Sequence, residues 1–172
     1  APTFQLDDLV LVDVGASGGI HRRWNRLLPN LKAILFEPNE TAYQRLVSRS
    51  DSHVEAFQTA LFEEPGEYPF HICRSRQVSS VFKPNPDFVN QYPHPERYDI
   101  IETQQIQMTT LDHFFSETDY AGPHFIKLDT QGAELPILRG GTRILRRTIG
   151  VELEVEYVGL YQNAPLFPEV DE

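Results

Sequence analysis

The sequence has little cysteine, little positive charge and no long apolar run. Its 172 residues include one cysteine and 15 lysine or arginine residues, against 25 aspartate and glutamate residues. A single thiol, Cys73, excludes an internal disulfide bond and a cysteine-based zinc site, and we interpret it as a small buried residue. The net charge of −10 argues against a nucleic-acid partner, because nucleic-acid binding requires clustered positive charge.

No apolar run approaches the roughly 20 residues that span a bilayer, and the chain opens without a signal-peptide pattern. We therefore expect a cytoplasmic protein without a membrane span. The length, and a hydrophobic share of 40% that is ordinary for a globular chain, predict a single domain over residues 1–172.

Strand and helix patterns alternate near both ends of the chain, which is typical of a doubly wound, mostly parallel sheet. The predicted strands cover residues 9–14, 32–37, 53–57, 124–129 and 148–155. The predicted helices cover residues 20–28, 39–47, 111–115 and 134–138, with a further helical stretch through Leu145.

The middle of the chain shows neither pattern. Proline interrupts it repeatedly, so we predict an irregular insertion over about residues 63–104, with only a short β segment near 105–108. Loops of this length are often functional. We therefore expect substrate recognition there.

A glycine-rich turn follows the first predicted strand, with glycines at positions 15, 18 and 19. Glycine allows a strand to turn sharply into a helix while the backbone approaches a ligand. Glu37 ends the next predicted strand, 22 residues after Gly15. A spacing of about 20 residues places an acid on the ribose of a bound dinucleotide. The combination predicts a nucleoside cofactor.

The turn differs from the dinucleotide pattern. Its glycines read G-x-x-G-G, whereas a pyrophosphate binder favours G-x-G-x-x-G. Asp13 adds negative charge where a pyrophosphate would lie, and an acid suits the ammonium and sulfonium groups of S-adenosylmethionine. We therefore predict that cofactor, with an NAD(P)-dependent Rossmann oxidoreductase as the alternative.

The sequence also resembles the FkbM family of S-adenosylmethionine-dependent methyltransferases over nearly its whole length. The resemblance lies in Asp-Val-Gly-Ala-Ser-Gly-Gly at 13–19, Phe-Glu-Pro-Asn at 36–39, Thr-Leu-Asp at 110–112, Phe-Ile-Lys-Leu-Asp-Thr-Gln-Gly-Ala-Glu-Leu at 125–135 and Leu-Arg-Gly-Gly at 138–141. It implies a three-layer α/β/α Rossmann-like class I methyltransferase fold. It also implies O-methylation of a hydroxyl on a sugar, a polyketide, or another small-molecule or glycan acceptor.

The resemblance further implies roles for single residues. Asp13 and the glycine turn would line the methionine part of the cofactor, Glu37 would bind its ribose, and Asp129 would lie beside the transferable methyl group. Ala60 and Leu61 would lie against the adenine. The predicted cofactor-binding residues are Asp13, Gly15, Ala16, Ser17, Gly18, Glu37, Pro38, Ala60, Leu61, Ser80 and Asp129.

Methyl transfer to a hydroxyl requires positioning and a base. We predict Asp129 and Glu134 as the catalytic carboxylates, with Glu154 and Glu156 as second candidates. Two carboxylates without a histidine at ligand spacing give no basis for a metal ion, so none is predicted.

The end of the chain departs from the family pattern. A complete class I fold continues beyond the strand at 148–155 with a helix and an antiparallel strand pair, and these C-terminal strands are apparently missing, so we expect a truncated sheet. The last strand would then be an exposed edge unless a partner subunit or a missing C-terminal segment covers it. A second copy of the chain, in a homo-oligomer, would be one such partner. A non-catalytic S-adenosylmethionine-binding module is a further alternative.

Overall fold

The computed structural model describes residues 9–27, 30–49 and 52–172. The strands of these ranges are β1 (Leu9–Val14), β2 (Leu31–Phe36), β3 (Val54–Phe57), β4 (Ala60–Leu61), β5 (Gly66–Cys73), β6 (Ile100–Thr109), β7 (Phe125–Leu128) and β8 (Gly150–Leu153). The larger sheet has the order β3-β2-β1-β7-β8, and its four pairings are parallel. The order reverses between β1 and β7, as in doubly wound sheets. The predicted fold class is therefore confirmed.

Helices cover both faces of this sheet. The α-helices are α1 (Glu40–Arg49), α2 (Pro86–Val89), α3 (Leu111–Ser116), α4 (Glu134–Arg139), α5 (Thr142–Leu145) and α6 (Phe167–Asp171), and 3-10 helices cover Arg22–Arg26, Arg76–Val78 and Pro95–Tyr98. On one face, Val12 and Ile126 pack with Leu111 of α3 and Ile137 of α4. On the other face, a smaller cluster packs against α1.

Side-chain alternation in the strands produces this layering, because successive residues point to opposite faces. Since both faces are covered, the central strands are apolar almost throughout. Asp13 is an exception, 1% exposed in the middle of the sheet. The single cysteine, Cys73, is fully buried at the end of β5, and burial raises the pKa of its thiol to about 11.

A second sheet corrects the prediction of an irregular insertion over residues 63–104. Its order is β4-β6-β5, with β5 antiparallel to β6 from Gly66 opposite Met108 to Cys73 opposite Ile100. Most of β6 is exposed and carries glutamate and glutamine, so it lacks the alternation of apolar and polar residues that identifies a strand in a sequence. Short helical turns occupy much of residues 74–99.

One further prediction changes in the structure. The helix predicted over residues 20–28 is a short 3-10 helix, Arg22–Arg26, whose cap His21 accepts a hydrogen bond from the backbone of Arg23. Leu28, at the predicted end, lies outside the described residues. In residues 9–27, 30–49 and 52–172, no helix combines the length and the apolar character needed to cross a membrane.

The chain after β8 folds back over the larger sheet. In the described part of the chain no strand pairs with the outer edge of β8, where Ile149 and Val151 are 69% and 43% exposed. Residues beyond β8 instead return to the 74–99 segment, where Tyr161 forms an isolated bridge with Pro84. Helix α6 then packs near α4. The C-terminal segment therefore lies near the carboxyl ends of the strands.

Candidate active site at the strand tips

A cleft of about 1150 Å³ runs along the carboxyl ends of the parallel strands. Gly15, Glu37, Asp129 and Glu154 each follow a strand directly and line this cleft. Their backbone N–H groups donate to carbonyls of the neighbouring strands at 3.0–3.1 Å. The sheet itself therefore fixes the backbone from which these side chains project.

Two glycines of the turn differ in what surrounds them. Gly15 has a φ of +78°, and a Cβ there would collide with the backbone carbonyl oxygen of Asp129. Packing of the two strand ends therefore requires this glycine. A Cβ on Gly18 would meet no atom of the described chain within 4 Å. Gly18 thus borders open space on the cleft wall, as a position approached by a ligand would.

Glu37 lies on the wall of the cleft beside the turn. It is 6% exposed, and its Oε1 accepts a hydrogen bond of 2.8 Å from the backbone N–H of Asn39. Burial raises the pKa of Glu37, and the bond from Asn39 opposes part of this rise. Asn39 also caps α1, because its Oδ1 accepts from the N–H of Ala42 at 3.0 Å. The carboxylate is held in place by a well-capped helix.

Asp13 does not line the cleft, although the sequence predicts it as a cofactor residue. Its Oδ1 lies 3.0 Å from Nζ of Lys127, its partner in register on β7, and its Oδ2 has no hydrogen-bond partner among the described residues. Burial raises the pKa of Asp13, and Lys127 opposes part of that rise. Lys127 lines the cleft in its place, and its Nζ also lies 3.5 Å from Asp129.

Asp129 and Glu154 form a pair of carboxyl groups in the cleft. The pKa of Glu154 rises to about 7, first because its carboxyl group hydrogen-bonds to Asp129 and then because of burial. The amide Nε2 of Gln131 donates to both, at 3.3 Å to Asp129 and 2.5 Å to Glu154. A carboxyl group with a pKa of about 7, such as that of Glu154, can hold a proton near neutral pH.

Glu134 has a different environment from the one expected for a base. It is 3% exposed and does not line the cleft. Its carboxylate accepts hydrogen bonds from the backbone N–H of Thr130 at 2.6 Å, from the Thr130 hydroxyl at 2.9 Å and from the N–H of Gly132 at 2.9 Å. These three hydrogen bonds come from the turn before α4, so Glu134 braces that turn from behind the cleft wall.

Ser80 also lies behind the cleft wall. It is 1% exposed, and its Oγ donates to the carbonyl of Gln131 at 2.8 Å while accepting from the N–H of Phe82 at 3.0 Å. Among the predicted site residues, the structure thus separates Asp13, Ser80 and Glu134 from the cleft. The predicted residues that line it are Gly15, Ala16, Ser17, Gly18, Glu37, Pro38, Ala60, Leu61 and Asp129.

Comparison with known proteins identifies the family of the chain. Residues 13–172 match the family described as the methyltransferase FkbM domain. The chain belongs to the FkbM methyltransferase family. It is 24% identical over 162 residues to the 2-O-methyltransferase NoeI of Sinorhizobium fredii (strain NBRC 101917 / NGR234), a match covering 91% of this chain and 67% of NoeI. No solved structure matches the chain.

FkbM membership favours methyl transfer over the oxidoreductase alternative. Lys127 and Gln131 also line the cleft, although neither is predicted as a site residue from the sequence. Both lie in the segment 125–135 that resembles the family. Lys127 had a usable signal, because it is two residues before Asp129 in the predicted strand over residues 124–129 and so shares its face. Gln131 had none, because its amide reaches the carboxyl pair from a left-handed backbone with a φ of +60°.

Proposed function

We propose that this protein transfers the methyl group of S-adenosylmethionine to a hydroxyl group of a sugar or glycan. The observation that carries the proposal is a single cleft joining the glycine turn and Glu37 to the carboxyl pair of Asp129 and Glu154. The glycine turn and Glu37 would bind the nucleoside of the cofactor, and the carboxyl pair would accept the proton of the acceptor, in one cleft. The similarity to NoeI, which is named a 2-O-methyltransferase, supports a hydroxyl acceptor.

The residues at the cofactor end fit S-adenosylmethionine. Gly18 leaves an open cradle that a Cβ would enter, and Glu37 is an anchored acceptor suited to ribose hydroxyls. Ala60 and Leu61 provide an apolar surface for a base. Lys127, held between two carboxylates, supplies a cation for the carboxylate of the methionine part.

The carboxyl pair is placed to accept the proton of the acceptor hydroxyl. S-adenosylmethionine supplies a methyl group already activated by its sulfonium. A neutral hydroxyl attacks better when its proton has an acceptor, and a base with a pKa close to the working pH is effective. Glu154, with a pKa of about 7, is such an acceptor, while Asp129 and Gln131 hold its carboxyl group toward the cleft.

The acceptor end has the composition of a carbohydrate site. Tyr98 presents an aromatic ring, and Arg76, Gln77 and Arg97 add polar side chains on the wall formed by residues 74–99. Aromatic faces combined with hydrogen-bonding groups suit a ring that carries several hydroxyl groups. Since pockets for one ligand commonly have about 300–1,000 Å³, the volume of about 1150 Å³ provides space for donor and acceptor together.

Calorimetry with S-adenosylhomocysteine tests the cofactor half. Glu37→Gln should weaken binding about 10- to 100-fold, because hydrogen bonds to a charged group are lost while the amide oxygen can still accept from Asn39. The exposed neighbour Glu40 provides the matched control, and Glu40→Gln should bind as the wild type does. Wild-type affinity in Glu37→Gln would contradict the ribose assignment, and preference for NAD would contradict the cofactor.

Transfer of a labelled methyl group to a panel of glycans tests the catalytic half. Label should appear on an oxygen of an acceptor, and Glu154→Gln should reduce the rate while leaving S-adenosylhomocysteine affinity unchanged. Cofactor binding without transfer to any acceptor of the panel would instead support the non-catalytic binding module.

A further inference from the structure

Gln131 occupies a strained and strongly restrained position beside the carboxyl pair. Its φ of +60° lies in the left-handed region, which costs a residue other than glycine of the order of 1–3 kcal/mol unless its surroundings enforce it. Its backbone carbonyl accepts from Ser80 at 2.8 Å, and its side-chain Oε1 lies 2.9 Å from the hydroxyl of Tyr161. Such a position is typical of a residue held for function.

Tyr161 reaches this position from the C-terminal segment. It is 2% exposed, and its hydroxyl lies 3.1 Å from the carbonyl of Val78 as well as 2.9 Å from Gln131. Burial raises the pKa of this hydroxyl far above its ordinary value, so it remains protonated and able to donate. One side chain thus links the chain end, the wall at residues 74–99 and the turn after β7.

The chemistry of the amide fixes the direction of these bonds. Ionised carboxyl groups only accept hydrogen bonds, so the NH₂ end of Gln131 must face Asp129 and Glu154. The Oε1 end then requires a donor on its other side. The hydroxyl of Tyr161 has one proton and two acceptors in reach, and the contact with Oε1 at 2.9 Å is shorter than the one with the carbonyl of Val78 at 3.1 Å, so we assign Tyr161 as that donor. Without its hydroxyl the amide loses the contact that keeps its NH₂ group toward the carboxyl pair.

We propose that Gln131 is a positioning residue that holds Asp129 and Glu154 as a pair, and that Tyr161 fixes which end of its amide faces them. This proposal rests on the proposed function only for its catalytic consequence. The charged groups that act electrostatically on Glu154 are Asp129, Glu156 and, from behind the cleft wall, Glu134, with Lys127 on the far side of Asp129. In this acidic surrounding, the amide is the neutral donor that favours the ionised pair.

The test is an NMR titration of the side-chain carboxyl ¹³C signals, which needs no acceptor. The Glu154 signal is assigned by its loss in Glu154→Gln, and its midpoint should lie at about 7. Tyr161→Phe keeps the buried ring but removes the donor, so the midpoint should rise by about 0.5 to 1 unit. Gln131→Leu should raise it similarly.

The double variant decides whether Tyr161 acts through Gln131. Adding Tyr161→Phe to Gln131→Leu should cause no further rise, whereas a direct effect of the phenol on Glu154 would persist in that background. Tyr98→Phe is the control, because its ring lies 6.3 Å from that of Tyr161 and Gln131 has no hydrogen bond to it. An unchanged midpoint in Gln131→Leu would overturn the proposal, even if Tyr161→Phe failed to fold.

Catalysis provides the second readout once an acceptor is known. Tyr161→Phe should lower kcat with little change in KM for S-adenosylmethionine, and the acidic limb of its pH profile should move upward with the Glu154 midpoint. A shifted NMR midpoint with an unmoved pH profile would retain the positioning of the pair and reject its role as the base of the proposed function. An unmoved midpoint would reject the positioning itself.

Discussion

Removing the charge of Lys127 is the sharpest test of how this sheet tolerates a buried acid. Asp13 is 1% exposed, and its Oδ1 pairs with Nζ of Lys127 at 3.0 Å, while its Oδ2 has no hydrogen-bond partner among the described residues. Lys127→Met keeps the length and apolar stem of the side chain. It leaves a carboxylate without compensation in the middle of a parallel sheet.

The size of the effect follows from two limits. Breaking a buried ion pair from one side typically costs about 3–5 kcal/mol. The carboxyl group can avoid part of this cost by taking a proton, and at about 1.4 kcal/mol per pH unit this costs about 4 kcal/mol at pH 7 for a group with an ordinary pKa of 3.8. At pH 5 the same protonation costs only about 1.5 kcal/mol.

Urea denaturation at the two pH values measures the difference. Lys127→Met should lose about 3–4 kcal/mol of unfolding free energy at pH 7 and about half of that or less at pH 5, because the variant binds its extra proton in the folded state. Adding Asp13→Asn should recover most of the loss by removing the second charge. An equal loss at both pH values would refute the electrostatic argument and point to packing.

An exposed ion pair between β2 and β3 supplies the control. Nζ of Lys32 lies 3.6 Å from Glu55, with side chains that are 38% and 47% exposed. Lys32→Met should cost at most about 1 kcal/mol, because solvent screens such pairs. A loss as large as that of Lys127→Met would mean that burial does not distinguish the two lysines.

Two other predictions separate packing from ligand binding. Gly15→Ala should lower the unfolding free energy in urea by about 3 kcal/mol or more, because its φ of +78° and the carbonyl of Asp129 exclude a Cβ. Gly18→Ala should keep wild-type stability and instead weaken S-adenosylhomocysteine binding in calorimetry. The opposite pattern would contradict both assignments. Glu134→Gln should lose about 1–3 kcal/mol of unfolding free energy, because an NH₂ group would face the N–H of Gly132. If this variant kept its stability and lost turnover, Glu134 would be the base that the sequence predicts.

The features predicted correctly from sequence depend on local patterns. The strand Leu9–Val14 is a continuous apolar run around one acid, and Asn39 caps α1 with the side-chain bond that its residue type favours. Glu37 and Asp129 follow strands directly, so the parallel topology brings them to one edge of the sheet. Such positions follow from strand direction alone.

The features missed depend on tertiary register and on side-chain direction. Asp13 is the last acid before the glycine turn, but its partner in register, Lys127, is 114 positions away. Glu134 is predicted as a catalytic carboxylate, yet the turn after β7 offers it two N–H groups and a hydroxyl. The exposed strand β6 carries too few apolar residues for its pairing with β5 to show in the sequence.

The backbone is restrained more strongly at Asp129 than at Glu154. Asp129 follows β7, which has a strand on either side, and the close approach of Gly15 restricts it further. Glu154 follows β8, an edge strand, and its backbone is tied to the sheet through one bond to Leu128 at 3.0 Å. A hydrogen bond between the two carboxyl groups requires a constant separation, so the edge residue needs a restraint beyond the sheet. Gln131 bonds to both carboxyl groups and is held in turn by the segment that follows β8, which explains why the end of the chain returns to the strand tips.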